Sequence, residues 1–447
     1  MTESNNKLFQ LLEKAVMGPM GKISQYKIVR SIMAAGMASI PFTIVGSMFL
    51  VFNILPITFP FLANFFEATF LNFSDLYMLA NSTTMGLLAL YFCIVLGYEY
   101  SKIIQVEENL DLTPINGALL GVFATLMSIP QLVFDGGKMT RINDVEEGLI
   151  NGWLIGADGV ARLGTVGIFT GIVMAVVAVQ LYRLCVKNNW VIKMPEEVPE
   201  GVARSFTALI PAFVVAVVVL TINGILVVLG TDIFQLVAIP FGFVTHLTDS
   251  WLGIMVIYFL AHALWLVGIH GFNIISPLIT PIMLANLAAN VEGASFPLAG
   301  QFTNGYVTLG GSGATLGFTL FMIYIAKSKQ MKVLGRAAIV PSIFNINEPI
   351  IFGVPIIYNP YLAIPFLLAP MASATIAYFA TRMELIRPMI ANIPFPTPVG
   401  LGGFIGTGGD WRAGVVAIVC AVVSFLIYFP FAKFYDTKLL KEEQEAA

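Results

Sequence analysis

Apolar runs of about 20 residues recur along the chain with almost no charge inside them, and they restrict the fold more than any motif does. The clear ones are Ser31–Phe52, Tyr77–Gly97, Pro114–Phe134, Leu163–Leu184, Ser205–Leu229, Trp251–Ile269, Tyr361–Ala380 and Ala413–Phe434. Each is long enough for a helix that crosses the hydrocarbon of a bilayer, where the backbone must satisfy its own hydrogen bonds. Two more, Asn273–Ala289 and Gly313–Ala326, are short or interrupted by Pro277 and Pro281. Only 11% of the 447 residues are charged and 57% are hydrophobic, against roughly 25% charged in an ordinary globular protein. Such a chain cannot cover itself with polar surface in water. The expected fold class is an all-α membrane protein of about ten transmembrane helices.

Basic residues orient these spans. Lys7, Lys14, Lys22, Lys27 and Arg30 precede the first; Arg183, Lys187, Lys193 and Arg204 follow the fourth. Lys327, Lys329, Lys332 and Arg336 form a third cluster, and Lys433, Lys438 and Lys441 a fourth. Ten spans put all four clusters on one side, which the positive-inside rule assigns to the cytoplasm together with both termini. The N-terminal MTESNNKLFQLLEKAV is polar first, with Phe9, Leu12 and Val16 at helical spacing. It reads as an amphipathic helix on the lipid surface and lacks the apolar core of a signal peptide. No basic domain suggests nucleic acid. Cys93, Cys185 and Cys420 show no CxxC spacing, so packed thiols are expected, with neither metal nor cofactor.

The two halves differ, with a division expected between residues 1–230 and 231–447. The second half holds all three histidines and two Pro/Gly-rich apolar stretches, FNINEPIIFGVPIIYNP (344–360) and NIPFPTPVGLGGFIGTGGDW (392–411). Irregular backbone at membrane depth persists only where protein or a wet cavity satisfies it. Both stretches therefore read as re-entrant hairpins lining a polar chamber, as at the broken helices of transporters. A long extramembrane loop fits the second stretch nearly as well, but the apolar density of the first argues against a solvated loop.

Glu348 is the one embedded acid, and an intramembrane charge costs about 2.5–3.5 kcal/mol even on lenient scales. A polar substrate in a wet cavity would compensate it. His262, Trp265 and the helix end near His270 share roughly one face. His270, next to glycine at the end of a span, is a candidate for function. His262 is balanced between function and packing, and His246 reads as interfacial. GGSGATLG (310–317) lacks the lysine of a P-loop and suits close packing better than nucleotide binding. Trp265 and Trp411 are the two tryptophans beside other candidate residues.

FNINEPIIFG, GIHGFN (268–273) and GGSGATLG together resemble the membrane-embedded C component (EIIC) of the bacterial phosphoenolpyruvate-dependent sugar phosphotransferase system, in its lactose/cellobiose/diacetylchitobiose branch. The likeness runs from MGPMGKI near the N-terminus to the last span. It implies a homodimer in the bacterial plasma membrane, with dimer contacts in the N-terminal half and sugar held between two re-entrant hairpins in the C-terminal half. It also implies that a cellobiose-like sugar moves inward and is phosphorylated on its 6-hydroxyl by a phosphocysteine of a separate EIIB, itself charged by EIIA. Carried over by motif, Glu348 would be general base and His270 would bind the sugar and steady charge near the phosphoryl group. Asn347 would orient the hairpin tip or the sugar, with Asn345, Asn392, Trp265 and Trp411 as further candidate sugar contacts. About a dozen residues follow Phe434, so the donor is expected on another chain. The competing reading is a secondary transporter that releases unmodified sugar; it leaves Glu348 without a coupling network.

Overall fold

The computed structural model describes residues 22, 25–156, 159–192, 195, 198–199, 206–266, 270–354, 356 and 359–445, with the side chains of 240–247, Asn273 and Glu348 among those not described. The N-terminal amphipathic segment therefore lies outside the described residues. In chain order the helices begin with α1 (Lys27–Thr58), α2 (Ala63–Thr69), α3 (Ser74–Ser82), α4 (Leu88–Glu108) and α5 (Pro114–Ser128). Short strands β1 (Leu132–Asp135), β2 (Lys138–Arg141), β3 (Leu149–Ile150), β4 (Trp153–Gly156) and β5 (Gly159–Val160) follow. Then come α6 (Ile168–Lys187), α7 (Leu209–Val228), α8 (Ile233–Asp249), α9 (Trp251–Leu266) and α10 (Gly271–Val291). The chain ends with α11 (Leu316–Tyr324), α12 (Lys329–Ile343), α13 (Glu348–Gly353), α14 (Pro360–Arg382), α15 (Leu401–Gly406) and α16 (Trp411–Glu445).

Six segments among the described residues are long and apolar enough to span a bilayer: Lys27–Pro56, Leu71–Glu108, Ile168–Lys187, Leu209–Val228, Tyr361–Arg382 and Trp411–Glu445. Pro114–Ser128, Trp251–Leu266 and Leu278–Val291 are apolar but shorter. Several sequence expectations change. The run expected to span Pro114–Phe134 stops being helical at Ser128, next to Pro130, which has no N–H with which to continue the ladder. Leu132, Val133 and Phe134 instead form β1, paired antiparallel with β2 around Gly136–Gly137. Both glycines have positive φ, as a two-residue hairpin turn requires. Among the described residues the fold is thus helical with five short strands, not purely α. Conversely, α10 runs unbroken through Pro277 and Pro281, as apolar helices tolerate when neighbours re-satisfy the freed backbone groups. Gly313–Ala326 yields only the nine-residue α11, and α8 is a helix that the apolar runs did not mark.

The chain forms two compact units. One comprises residues 24–46 and 78–245. In it α4, α5 and α6 pack on Tyr100, Ile104, Leu120, Ala124, Met174, Ala178 and Tyr182, and α7 adds Val215 and Val219. Small residues let the backbones close in: a Cβ on Gly97 would stand 2.7 Å from the Gly117 carbonyl oxygen. That is the close approach by which apolar helices associate without a hydrophobic driving force. Lys27 and Arg183 each meet Glu108 at 2.6 Å. The part-buried Arg162–Asp232 pair, at 2.5 Å, ties the segment after β5 to the start of α8.

The other unit takes its described residues from 22, 47–77 and 246–445. Its frame is α9, α10, α14 and α16, between which the irregular stretches run. Gly271 begins α10 directly against the Ala261 backbone, where any side chain would collide. This fixes the tight return from α9.

Candidate functional site

Three irregular stretches of this second unit are stitched together by buried asparagines. The first, 294–315, is pinned to α10. Asn286 donates to the Leu298 carbonyl at 2.9 Å. Asn290 donates to the carbonyls of Phe296 at 2.9 Å and Met389 at 3.0 Å and accepts from Phe296 N–H at 2.7 Å. Asn286 and Asn290 stand one helical turn apart, so both reach the same side of α10. The stretch continues through a π-helical turn, Thr303–Val307. There the Thr303 hydroxyl lies 2.8 Å from that of Tyr258 on α9.

The glycine-rich segment follows. Gly310, Gly311, Gly313 and Ala314 all have positive φ, which explains why three of the four are glycine. Its carbonyls are individually satisfied: Thr315 donates to Gly310 at 2.7 Å, Tyr428 to Gly313 at 2.9 Å and Ser424 to Ala314 at 2.5 Å. The N–H groups of Gly310, Gly311 and Ala314 also donate within the protein, to Asn345, Thr308 and Gly311.

The second stretch supplies the clamps. Asn345, itself left-handed at φ 62°, accepts from Gly310 N–H at 2.9 Å and donates to the carbonyls of Asn304 at 3.3 Å and Thr397 at 3.2 Å. Asn347 donates to the Ser312 carbonyl at 2.6 Å and to the Thr315 hydroxyl at 2.8 Å. Both asparagines are buried. Glu348 opens α13 immediately afterwards, with Pro349 in its first turn. Its side chain is outside the described residues.

The third stretch closes the set. Val399 N–H donates to the Ile343 carbonyl at 3.0 Å, and Ile390 and Ala391 donate to the Gly406 carbonyl at 2.8 and 3.0 Å. Asp410 seals its base, accepting from Arg387 N–H at 2.9 Å and from the Arg412 side chain at 2.9 and 3.0 Å. Burial opposes ionisation of Asp410, but these donors win and hold its carboxyl below the usual range.

The remaining sequence candidates fall in different places. Asn392 is buried within the third stretch. Trp411 starts α16 and is 67% exposed. Trp265, near the end of α9, lies against His270, ring centroids 4.4 Å apart. His270 is exposed, whereas Trp265 is buried and its indole N–H has no hydrogen-bond partner among the described residues. His262 packs edge-on to Phe272 and Phe366 and bonds the Tyr258 carbonyl at 2.7 Å through Nδ1. Its Nε2, like the Tyr306 hydroxyl, has no partner among the described residues. The sequence reading missed Asn286, Asn290, Tyr258 and Tyr306. The signal was there: two asparagines four apart in an otherwise apolar helix demand partners.

Irregular, polar-stitched backbone set among apolar helices is the arrangement found at the discontinuous helices of membrane transport proteins. The chain matches the family "Phosphotransferase system, EIIC" over residues 33–370. It belongs to that family, the sugar-specific permease components of the phosphotransferase system. It is 33% identical to the lichenan permease IIC component of Bacillus subtilis (strain 168), over 98% of this chain and 96% of the relative. It is likewise 33% identical to the cellobiose-specific EIIC component of Geobacillus stearothermophilus, with coverage of 98% and 96%. The lactose-specific EIICB component of Lactococcus lactis subsp. lactis is 33% identical over 98% of this chain and 74% of its own length. Among solved structures, the crystal structure of ChbC, the IIC component of the N,N'-diacetylchitobiose-specific system, superposes with a TM-score of 0.85. It is 30% identical and covers 97% of this chain and 99% of its own.

Proposed function

We propose that this permease component carries a β-linked disaccharide of the cellobiose type inward and presents its 6-hydroxyl to a phosphocysteine on a separate EIIB, which is in turn charged by EIIA. The observation that carries the reading is the junction at Asn345 and Asn347, which ties the glycine segment and the third stretch to the residues leading into Glu348. The relatives named for cellobiose, lichenan and diacetylchitobiose support β-linked sugars as the substrate class. The lactose relative, named as an EIICB component, supports an EIIB partner.

In the transfer, the sugar 6-oxygen forms a bond to phosphorus as the sulfur–phosphorus bond breaks. The thiolate leaves on EIIB, and Glu348 takes the hydroxyl proton as general base. His270 binds the sugar and steadies charge near the phosphoryl group. Trp265 offers a ring face and an indole N–H still in need of an acceptor, which a sugar hydroxyl would supply. Asn345, Asn347 and Asn392 shape the sugar-facing backbone, and Trp411 contacts sugar or bilayer at the start of α16. Residues 1–230 form the dimer half in this reading. Residues 231–447 form the sugar-binding half, with two re-entrant hairpins and both termini cytoplasmic.

The test loads proteoliposomes with phosphorylated EIIB, adds labelled cellobiose outside and weighs the internal product. Sugar 6-phosphate formed only with the donor is expected. Free sugar accumulating without it would instead make the chain a secondary transporter and remove the role given to Glu348.

A further inference from the structure

Helix α12 exposes a face that no other part of its unit covers. Lys329, Val333, Arg336, Val340 and Ile343 follow one another at spacings of four, three, four and three, so they form one stripe down the helix. All five are exposed, as are Lys332 beside Arg336 and Phe344 at the end. Three cations within about two turns exclude burial of this helix in hydrocarbon. Neither Lys332 nor Arg336 takes part in an ion pair or hydrogen bond through its side chain among the described residues, unlike Lys27, Arg30, Arg162 and Arg183. The stripe is cationic at its start, apolar at its end, and runs about 22 Å straight into Asn345, Asn347 and Glu348.

The platform is also rigid. Asp436 on α16 accepts from Lys327 and Ser328 N–H at 2.8 and 2.9 Å, and Glu443 from Lys329 and Gln330 N–H at 3.0 and 2.9 Å. Ser328 caps the Met331 N–H. The free N–H groups at the helix start, which would otherwise attract an anion, are thus already taken by carboxylates of the same chain. Any anion drawn to α12 must meet the side chains of Lys332 and Arg336 instead.

We infer that the exposed stripe of α12 is the docking surface for the phosphorylated EIIB, with Lys332 and Arg336 drawing in its phosphocysteine and Val340, Ile343 and Phe344 supplying the apolar part of the contact. This rests on the reading that the donor is a separate phosphocysteine-bearing chain. Charge complementarity selects this occupant: a thiophosphate dianion matches two uncommitted cations, and the stripe ends where the acceptor hydroxyl is expected.

The experiment measures the affinity of the full-length permease in detergent for fluorescently labelled, phosphorylated EIIB, and the steady-state phosphorylation of cellobiose as EIIB is varied. K332E/R336E should weaken binding and raise the KM for phosphorylated EIIB at least about tenfold, flatten the salt dependence and leave cellobiose affinity unchanged. V340S should speed EIIB dissociation. K187E, a reversal in a different basic cluster, should change none of these. An unchanged KM in K332E/R336E overturns the docking surface while leaving the donor reading intact, and equal weakening by K187E overturns it as diffuse charge. Loss of binding to anionic vesicles, or a change of oligomeric state, with EIIB affinity intact would assign the stripe to lipid or to a second copy. Wild-type protein yielding no sugar phosphate overturns the donor reading itself, and the docking surface with it.

Discussion

The Asn347 side-chain amide donates to the Ser312 carbonyl at 2.6 Å, so the residue immediately before Glu348 is held by the glycine segment 35 positions upstream. Its other hydrogen goes to Thr315 at 2.8 Å. Asn347→Ala removes the donor from one part-buried and one buried acceptor, at a cost of about 1–3 kcal/mol. We expect a lower thermal midpoint in detergent and weaker cellobiose binding, both read by a melt with and without sugar. An unchanged midpoint would mean that water replaces the amide.

Gly311 makes the same junction testable from the other side. It has φ 99°, and a Cβ there would collide with the Asn347 side chain. Gly311→Ala should cost at least about 2–3 kcal/mol from strain and overpacking. Gly136→Ala, in the β1–β2 hairpin, has open space around it and should cost only about 1 kcal/mol. Comparing folded yield and midpoint of the two variants separates steric from conformational demand.

Much of this architecture is legible in the residues, and the exceptions have physical reasons. Apolar length marks most of the membrane helices, because bilayer thickness sets a lower limit that few other folds share. Proline is a poorer guide. Pro130 ends a helix, yet Pro277 and Pro281 sit inside one, since the outcome depends on neighbours that a single stretch does not contain. Leu132–Phe134 reads as more helix until Gly136–Gly137 turns it into a hairpin. The motifs FNINEP and GGSGATLG stand out in the sequence, but their joining by Asn345 and Asn347 is a long-range fact.

Trp265 carries a buried N–H with no acceptor among the described residues, and its ring lies tilted against that of His270. If a sugar hydroxyl accepts that hydrogen, Trp265→Phe should weaken cellobiose binding by about 3–10-fold, corresponding to about 0.5–1.5 kcal/mol. Trp265→Ala should weaken it more, through loss of the ring. Isothermal titration with detergent-solubilised protein distinguishes these, and equal affinity in all three proteins would return Trp265 to packing.

Glu348→Gln keeps the size and hydrogen-bonding reach of the side chain and removes its basicity. Sugar binding should persist, while phosphorylation at saturating EIIB falls by about 10²–10⁴-fold, the usual contribution of a positioned general base. Full-rate phosphorylation by the variant would remove Glu348 from the chemistry.

Asp410 supplies a pH dependence that does not involve the sugar. Burial raises its pKa, but the Arg412 side chain and the N–H groups of Arg387 and Arg412 lower it further, so the folded-state value lies below the ordinary one. A carboxyl whose pKa is depressed by folding stabilises the fold fully above its unfolded value, about 3.9, and loses that contribution as pH falls through the folded value. Wild-type stability should therefore fall between about pH 4 and the lower folded value. Asp410→Asn lacks the carboxylate at every pH, so its melting temperature should lie below wild type at pH 7 and converge with it in acid. Thermal melts of both proteins from pH 7 down to about pH 3 test this. A constant difference across that range would show that the loop is closed by shape rather than by the Asp410 charge.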